Sequence, residues 1–289
     1  MDAWRLAVEL LPKHLVGDMS RIRPEQLEEI RLRCGNKAYG LTAGQEYPIS
    51  EARVSRDDLE RTLEKATGAS FHSSIEALRS GYLSWRGLRI GVGGAVIQER
   101  DRIEGFRSIS SLAIRIPAEI IGLCDTLVRQ LYPIAYQNTI LLSPPGGGKT
   151  TALRDMIRAL SESGYRVSVA DERNELSGAD GGELRFDLGG HTDVLAGGSK
   201  ALCVMMLLRA MNPQILAMDE ISSEEDCELV RRIIGCGVGI LATAHASGPA
   251  DLRQRPLYRR LLDEQIFPLA VTIRQSGGRR SFHGERLSG

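Results

Sequence analysis

Residues 143–151 read S-P-P-G-G-G-K-T-T and follow the apolar run T-I-L-L at 139–142. A glycine-rich loop between a strand and a helix lets consecutive backbone N–H groups face a phosphate, and the helix adds its positive dipole end. The eight-residue phosphate-loop pattern asks for glycine at its first position, where this chain has Ser143. Serine is small enough for the turn to form. The stretch therefore predicts a nucleoside-triphosphate site, the alternative being a loop that merely contains G-K-T.

The loop residues divide between phosphate binding and metal binding. Lys149 is expected to reach the β- and γ-phosphates of ATP, and the Thr150 hydroxyl is expected to bind Mg²⁺. Lysine is scarce, so a lysine at this position is informative. The predicted nucleotide-binding set in the loop is Ser143, Pro144, Pro145, Gly146, Gly147, Gly148, Lys149, Thr150 and Thr151.

A second motif is the apolar run I-L-A-M at 215–218, which ends in the adjacent carboxylates Asp219 and Glu220. ATPases with a phosphate loop use such acids to hold Mg²⁺ and to activate water. We expect Asp219 to bind Mg²⁺ and Glu220 to polarise the water that attacks the γ-phosphate. Two acids at a strand end are also common as solvated side chains, but together with the phosphate loop they indicate a hydrolytic site.

Two further predicted strands end in polar residues. The strand predicted at 239–243 leads into A-T-A-H-A, which places His245 where a γ-phosphate sensor would lie. The alternative for this histidine is a ring satisfied by loop backbone. After the strand predicted at 165–170, Glu172 and Glu175 either face the nucleotide or belong to a solvated loop. Carboxyl ends of parallel strands share one edge of a sheet, so these residues are expected near one another.

The pattern of apolar residues changes near residue 117. Short β-prone runs and one helical stretch predict a smaller α+β domain over 1–117. Apolar residues at helical spacing then predict a bridging helix over 118–133, which Pro133 ends. Strands alternating with helices predict a parallel sheet with crossovers over 134–289. The expected fold class is α/β, a RecA-like P-loop NTPase core with an additional strand and the smaller N-terminal domain.

Within the second domain, the predicted helix 199–211 contains A-L-C-V-M-M-L-L and is apolar on nearly every side. A helix of this kind is expected to be buried, with its methionines filling the core. The region 178–198 before it is rich in glycine.

Composition narrows the class of protein. The 289 residues carry 37 basic and 37 acidic side chains, so the net charge gives no general attraction to nucleic acid. The five cysteines form no C-x-x-C pair and are predicted to be reduced thiols of a cytoplasmic protein. The longest apolar run, 201–208, is far shorter than the roughly 20 residues that span a bilayer. We expect no transmembrane segment of the chain's own, although it could dock at a membrane through protein partners.

With the D-E and A-T-A-H-A segments in place, the chain resembles the stage III sporulation protein AA family. That family is similar in turn to the secretion ATPases of type II and type IV systems and pili. The resemblance covers nearly the full chain. Besides L-L-R-A-M-N-P at 207–213, it rests on E-I-R-L-R at 29–33, I-E-A-L-R-S-G-Y-L at 75–83, G-L-R-I-G-V-G-G-A-V at 87–96 and R-S-I-S-S-L-A-I-R-I at 107–116.

The resemblance implies a Mg²⁺-dependent ATPase that assembles as a homo-oligomeric ring, a hexamer, and hydrolyses ATP to ADP and phosphate. It implies that the ring energises a secretion-like channel between mother cell and forespore during endospore formation. Membrane proteins of that channel would be its partners.

The resemblance also bears on individual residues. In related secretion ATPases an acidic segment and a histidine line the site, which favours Glu172, Glu175 and His245 as catalytic residues. Arginines of the N-terminal domain approach the nucleotide in those relatives, which favours Arg107 and Arg115. Because M-D-E replaces the G-E pair of many relatives, the base remains open between Glu220 and the acids near residue 172.

The alternative function is a nucleic-acid motor or loader of the RecA-like or AAA+ kind, since the same core serves both. Its supporting feature is arginine richness, including the adjacent Arg279 and Arg280. A neutral chain, however, lacks the basic stripe of a protein that tracks nucleic acid. A third class is a nucleotide-gated scaffold with negligible hydrolysis. Dinucleotide binding is least favoured, because Thr151 stands where that pattern needs glycine or alanine.

Overall fold

The protein folds as two compact units, Met1–Ala118 and Glu119–Gly289. Most of the segment 75–83, quoted above for the resemblance, lies outside the described residues. The computed structural model describes residues 3–17, 26–42, 44–68, 81–99, 102–117, 119–179, 182–276 and 279–287.

The N-terminal unit is built on an antiparallel sheet with the strand order β3-β2-β1-β6-β5-β4. Buried side chains of the helices and of the sheet form one hydrophobic core. The elements described in this unit are α1 (Ala3–Leu10), a 3-10 turn (Lys13–Leu15), β1 (Glu29–Arg33), β2 (Lys37–Thr42), β3 (Gln45–Arg53), α2 (Arg56–Thr67), β4 (Tyr82–Trp85), β5 (Leu88–Glu99) and β6 (Arg102–Arg115).

Both ends of α2 follow from its sequence. The Ser55 hydroxyl accepts the backbone N–H of Asp58 at 3.1 Å, and the Asp58 carboxylate accepts the N–H of Ser55 at 2.8 Å. This reciprocal capping box satisfies donors that a helix start leaves free. At the other end Gly68 adopts the left-handed conformation, with φ of 61°. The helix and the neighbouring strands confirm the predicted smaller α+β domain.

The C-terminal unit contains a sheet with the strand order β13-β12-β7-β11-β10-β8-β9. Its neighbouring strands are parallel except for the antiparallel pair of β12 and β13. Its described elements are α3 (Asp125–Leu131), β7 (Thr139–Ser143), α4 (Lys149–Glu162), β8 (Val167–Asp171), β9 (Thr192–Ala196), α5 (Lys200–Ala210), β10 (Ile215–Glu220), α6 (Glu224–Gly235), β11 (Gly239–His245), α7 (Pro249–Gln254), α8 (Pro256–Asp263), β12 (Leu269–Ser276) and β13 (Arg279–Arg286).

The position of β11 decides the fold class. It lies between β7, which leads into the phosphate loop, and β10, which ends in the two acids. One strand thus separates the phosphate loop from the acids, and all three strands end at the same edge of the sheet because they are parallel. The predicted α/β P-loop core with an additional strand is confirmed.

Helices cover both faces of this sheet. In β10, Ile215 and Ala217 pack into a core shared with α3 and α4. Leu216 and Met218 point the other way, into a core shared with α5, α6, α7 and α8. A strand that is covered on both sides reads as a continuous apolar run, which explains I-L-A-M before the acids.

The helix predicted over 118–133 is wrong in its first half, because α3 begins at Asp125. Gly122 is in the left-handed conformation, with φ of 82°. The N–H groups of Gly122 and Cys124 donate to the Asp155 carboxylate at 3.0 and 2.6 Å. The backbone before α3 is therefore a turn that is tied to α4. Helical spacing of apolar residues could not reveal a partner that lies about thirty residues further along the chain.

The prediction that the helix at 199–211 is buried is also wrong. The described helix, α5, buries Cys203, Val204 and Leu207. Leu202 and Met206, on another side, are 67% and 59% exposed. The helix packs against β8, β9 and α6 with one side only. In addition, β9 lies within the glycine-rich region 178–198, for which no strand was predicted.

Candidate functional site

The loop between β7 and α4 has a backbone that only glycine fits. Gly146 and Gly148 have φ of 74° and 86°, in the left-handed region that favours glycine. Gly147 is required for another reason, since a Cβ there would lie 1.8 Å from the Ser143 hydroxyl oxygen. The loop therefore brings bare backbone to the start of a helix, which is the arrangement that binds phosphate.

Ser143 fits the first position of the loop, where the pattern has glycine. It is the last residue of β7 and is fully buried. Its hydroxyl donates to the carbonyl of Pro144 at 3.1 Å. Pro144 and Pro145 are exposed. The serine hydroxyl thus finds its hydrogen-bond acceptor within the loop, and the turn forms without a glycine at this position.

Lys149 is a buried cation held by neutral groups. It is 8% exposed, and its ammonium nitrogen lies 3.1 Å from the Ser143 carbonyl and 3.4 Å from that of Pro144. The Nδ1 atom of His245 is 2.6 Å away. None of these three partners is a carboxylate. Burial lowers the pKa of Lys149, and the charges of Glu220 and Asp219 act against that effect. A phosphate would supply the negative charge that these contacts lack.

His245 connects Lys149 to Glu220. Its Nε2 atom lies 3.0 Å from a carboxylate oxygen of Glu220. An ammonium group only donates, so Nδ1 has to accept from Lys149, which leaves the ring proton on Nε2 to donate to Glu220. The structure thereby brings three predicted site residues into one hydrogen-bonded chain, although they come from α4, β11 and β10.

Asp219 has the surroundings of a metal ligand. Thr243 donates its hydroxyl hydrogen bond to this carboxylate at 3.3 Å. Burial raises the pKa of Asp219, and the nearby charge of Glu175 raises it further. A carboxylate whose ionised form is disfavoured in this way gains most from a divalent cation.

The residues present fit Mg²⁺ bound together with a nucleotide. Within the described part of the chain, no group of three or more His, Cys, Asp or Glu side chains could hold a metal by itself. Magnesium at nucleotide sites takes one or two protein ligands and completes its shell with phosphate oxygens and water. Asp219 and the half-buried Thr150, at the start of α4, are such a pair of oxygen ligands.

The acidic segment 171–175 is folded by Asp171, the last residue of β8, whose folding role the sequence did not predict. This buried carboxylate accepts the N–H groups of Glu175, Leu176 and Ser177 at 3.0, 3.2 and 2.8 Å. The resulting turn leaves Glu175 half-buried and near enough to influence Asp219. Glu172 is exposed. Of the two predicted glutamates, Glu175 is therefore the one that the fold holds near the strand ends.

Arg107 and Arg115 belong to the N-terminal unit, where both are exposed on β6. The Nε atom of Arg115 lies 3.3 Å from the buried carboxylate of Glu29. The fold of the C-terminal unit by itself therefore does not bring either arginine to the site.

Lys200 and Asp226 form an ion pair that holds the backbone of Glu220, and neither residue was predicted to do so. The Lys200 ammonium donates to the backbone carbonyl of Glu220 at 2.7 Å and to the Asp226 carboxylate at 2.9 Å. Asp226 also accepts the N–H groups of Ser222 and Ser223 at 2.8 and 3.2 Å. The S-E-E-D spacing at 223–226 is a capping-box signal that reveals Asp226. Nothing in the sequence pairs it with a lysine that precedes it by 26 residues.

The family model for sporulation stage III, protein AA, matches residues 6–285. The chain belongs to this family. Stage III sporulation protein AA of Bacillus subtilis (strain 168) is 32% identical to it over 280 residues, which cover 93% of this chain and 91% of the relative. The resemblance seen in the sequence is confirmed.

Solved structures of other proteins share the fold of this sporulation protein AA family member. The ATPase DotB of Legionella pneumophila superposes with a TM-score of 0.59 at 16% identity, covering 98% of this chain and 80% of DotB. The pilus retraction motor PilT, solved with bound ADP, gives a TM-score of 0.60 at 16% identity, with 98% and 82% covered. At this identity the likeness shows the fold. Among the residues that the structure describes, no helix is both long and apolar enough to cross a membrane.

Proposed function

We propose that this family member binds ATP with Mg²⁺ and hydrolyses it to ADP and phosphate. The observation that carries the proposal is the hydrogen-bonded chain of Lys149, His245 and Glu220 at the end of a phosphate loop. It joins a phosphate lysine to a carboxylate able to accept a proton, with a histidine between them.

Binding would use the loop backbone first. The N–H groups of the glycines and of the first turn of α4 would face the phosphates, and Thr150 and Thr151 would add hydroxyl groups. Lys149 would exchange its neutral partners for phosphate oxygens, because a charged acceptor makes the stronger hydrogen bond. Asp219 and Thr150 would hold Mg²⁺, which neutralises phosphate charge when bound.

Hydrolysis would use Glu220 as the base. Glu220 is half-buried, and its carboxylate lies beside His245. Lys200 holds its backbone in place by donating to its carbonyl. A base must lie within hydrogen-bonding reach of the water it activates, and a fixed strand end provides such a position. Exposure makes Glu172 the weaker candidate, while Glu175 is proposed to assist near Asp219. His245 would sense the γ-phosphate when Lys149 leaves its Nδ1 atom.

The family membership supports a role in sporulation, and the shared fold with DotB and PilT supports a motor. We propose a homo-oligomeric ring, a hexamer, that energises a secretion-like channel between mother cell and forespore. The ring would dock on membrane proteins of that channel. In such a ring, Arg107 and Arg115 of the N-terminal unit would complete the nucleotide site with positive charge.

The catalytic proposal is tested by ATP turnover and ATP binding of the purified full-length chain in Mg²⁺. Lys149→Ala is expected to abolish ATP binding, since it removes the phosphate cation. Glu220→Gln is expected to bind ATP but to hydrolyse it at least about 100-fold more slowly, because the amide cannot accept the proton. Lys13→Ala, at an exposed lysine of the other unit, serves as control and should behave as the wild type.

Normal hydrolysis by both site variants would refute the assignment of the site. If the wild type binds ATP but turns it over very slowly, and Glu220→Gln leaves that slow rate unchanged, the nucleotide-gated scaffold is favoured. Strong stimulation of turnover by DNA or RNA, falling steeply with salt, would favour the nucleic-acid motor. The ring is tested by native mass with and without ATP, and a monomer at every protein concentration would count against it.

A further inference from the structure

The hairpin of β12 and β13 brings an arginine to the phosphate loop. In β12, Val271 and Thr272 pair with Leu141 and Leu142 of β7. The strand continues for several residues beyond that point and pairs there with Arg280 of β13. Arg280 therefore lies at the edge of the sheet where β7 gives way to the phosphate loop.

The guanidinium group of Arg280 lies directly against Gly148. A Cβ on this glycine would be 2.6 Å from Nε of Arg280 and 3.1 Å from its Cζ atom. Gly148 is the residue just before α4, next to Lys149. Position 148 needs glycine for its positive φ, and any Cβ there would require the Arg280 side chain to move.

The Nε atom of Arg280 is buried and lacks a hydrogen-bond partner within the described residues. A buried donor without an acceptor costs free energy, and the cost is larger for a charged group. The residue as a whole is half-buried. An anion at the loop would supply the acceptor that Nε lacks.

We propose that Arg280 is a second phosphate-binding cation of the nucleotide site, supplied from β13, and that it binds the α- and β-phosphates of a nucleoside di- or triphosphate. This inference rests on the proposed function. In phosphate loops the backbone N–H groups cradle the α- and β-phosphates, whereas the lysine reaches the β- and γ-phosphates. Because Arg280 lies beside the backbone of Gly148, we assign it to the α- and β-phosphates. Its planar fork suits phosphate oxygens.

The experiment measures binding of ATP, ADP and inorganic tripolyphosphate to the full chain by calorimetry, in Mg²⁺ and at fixed salt. The variants are Arg280→Gln, Arg280→Lys and Lys149→Ala. Arg286→Gln is the matched control, because Arg286 is exposed at the other end of β13. Arg280→Gln is expected to weaken all three ligands by about tenfold, and Arg280→Lys by less, since it keeps the charge and loses the fork. Arg286→Gln should bind as the wild type.

The affinities and melting temperatures of the Arg280 variants distinguish a phosphate-binding role from a structural or base-binding role. Equal weakening of ATP and ADP, with an unchanged melting temperature of the free protein, supports the proposal. A lower melting temperature with unchanged affinity would show a purely structural arginine and overturn it. Weaker ATP binding with unchanged tripolyphosphate binding would assign Arg280 to the base or ribose and would also overturn it.

Failure of the inference differs from failure of the proposed function. If the wild type binds ATP, Lys149→Ala does not, and both Arg280 variants bind normally, only the role of Arg280 is overturned. If the wild type binds neither ATP nor tripolyphosphate, both are overturned.

Discussion

Two helices of the C-terminal unit, α4 and α5, each begin with a lysine after a glycine-containing loop, and the two lysines have different partners. Lys149 contacts two backbone carbonyls and the ring of His245. Lys200 contacts the carbonyl of Glu220 and, in addition, the carboxylate of Asp226. The same residue type at the same helix position therefore lacks a carboxylate among its hydrogen-bond partners in one case and is half of an ion pair in the other.

The difference in partners distinguishes the lysine that we propose to bind phosphate, Lys149, from the one that supports the backbone of Glu220, Lys200. An ion-paired lysine has its charge satisfied within the fold, and removing either partner leaves a buried charge unpaired. A buried lysine with neutral partners costs stability and is available to an anion. Glu220 stands between the two, since its backbone carbonyl meets Lys200 and its carboxylate meets His245.

The largest differences are expected when each lysine is replaced by methionine. Lys149→Met is expected to weaken ATP binding by at least about 100-fold, with the free energy of unfolding unchanged or higher, because an unpaired buried charge is removed. Lys200→Met is expected to leave ATP affinity within a few-fold. It should lower the free energy of unfolding by about 3 kcal/mol, since Asp226 loses its cation. Calorimetry and urea unfolding measure the two effects, and a reversed pattern would contradict the comparison.

A second test concerns Asp226 and its dependence on pH. Burial would raise the pKa of Asp226, but the N–H of Ser222 and the charge of Lys200 outweigh it, so that the pKa is lowered. A lowered pKa contributes stability above the unfolded-state pKa of about 4, and this is lost as the pH falls through the folded-state value. Asp226→Asn should therefore cost about 2 kcal/mol at pH 7.

The cost of Asp226→Asn relative to the wild type should shrink as the pH falls below about 4. Urea unfolding at several pH values measures it. Glu225→Gln, at an exposed position in the same helical turn, is the control. An equal difference at pH 7 and in acid would show that the ion pair with Lys200 does not carry the effect.

A third test uses Asp219, whose pKa is shifted in the opposite direction. Burial and the charge of Glu175 raise it. Between the unfolded and folded pKa values the native state binds more protons, so the contribution of Asp219 to stability falls as the pH rises. Asp219→Asn should raise the free energy of unfolding by about 1 kcal/mol at pH 7 without Mg²⁺, and should remove the Mg²⁺ dependence of ATP binding. Lower stability at pH 7 would contradict the reasoning.

Substitutions on the exposed side of α5 are expected to change the free energy of unfolding least. Leu202→Gln combined with Met206→Gln should change the free energy of unfolding by no more than about 0.5 kcal/mol, because both side chains are exposed. Leu207→Ala, on the buried side of the same helix, should cost about 2–5 kcal/mol. Urea unfolding compares the variants. A large loss from the exposed pair would show that this side of α5 is covered in solution.

Local sequence predicted a large part of the fold and of the candidate site. The phosphate loop, the acids at the end of β10 and the alternation of strands and helices all depend on neighbouring residues. Helix α4 accordingly follows the loop directly, from Lys149 to Glu162. The predictions were wrong where distant residues decide, as at the turn before α3, which Asp155 holds. They also failed for α5, because hydrophobicity does not tell which side of a helix has a layer above it.

The amino-acid sequence alone predicted a glycine-rich loop, a lysine at its end and paired acids after a strand, because each of these is a short run with its own backbone and charge requirements. The tertiary structure alone decided that β11 separates the loop from the acids, that His245 joins Lys149 to Glu220, and that Arg280 lies against Gly148. These contacts depend on strand order and register, which are set by how the whole sheet packs between its two layers of helices.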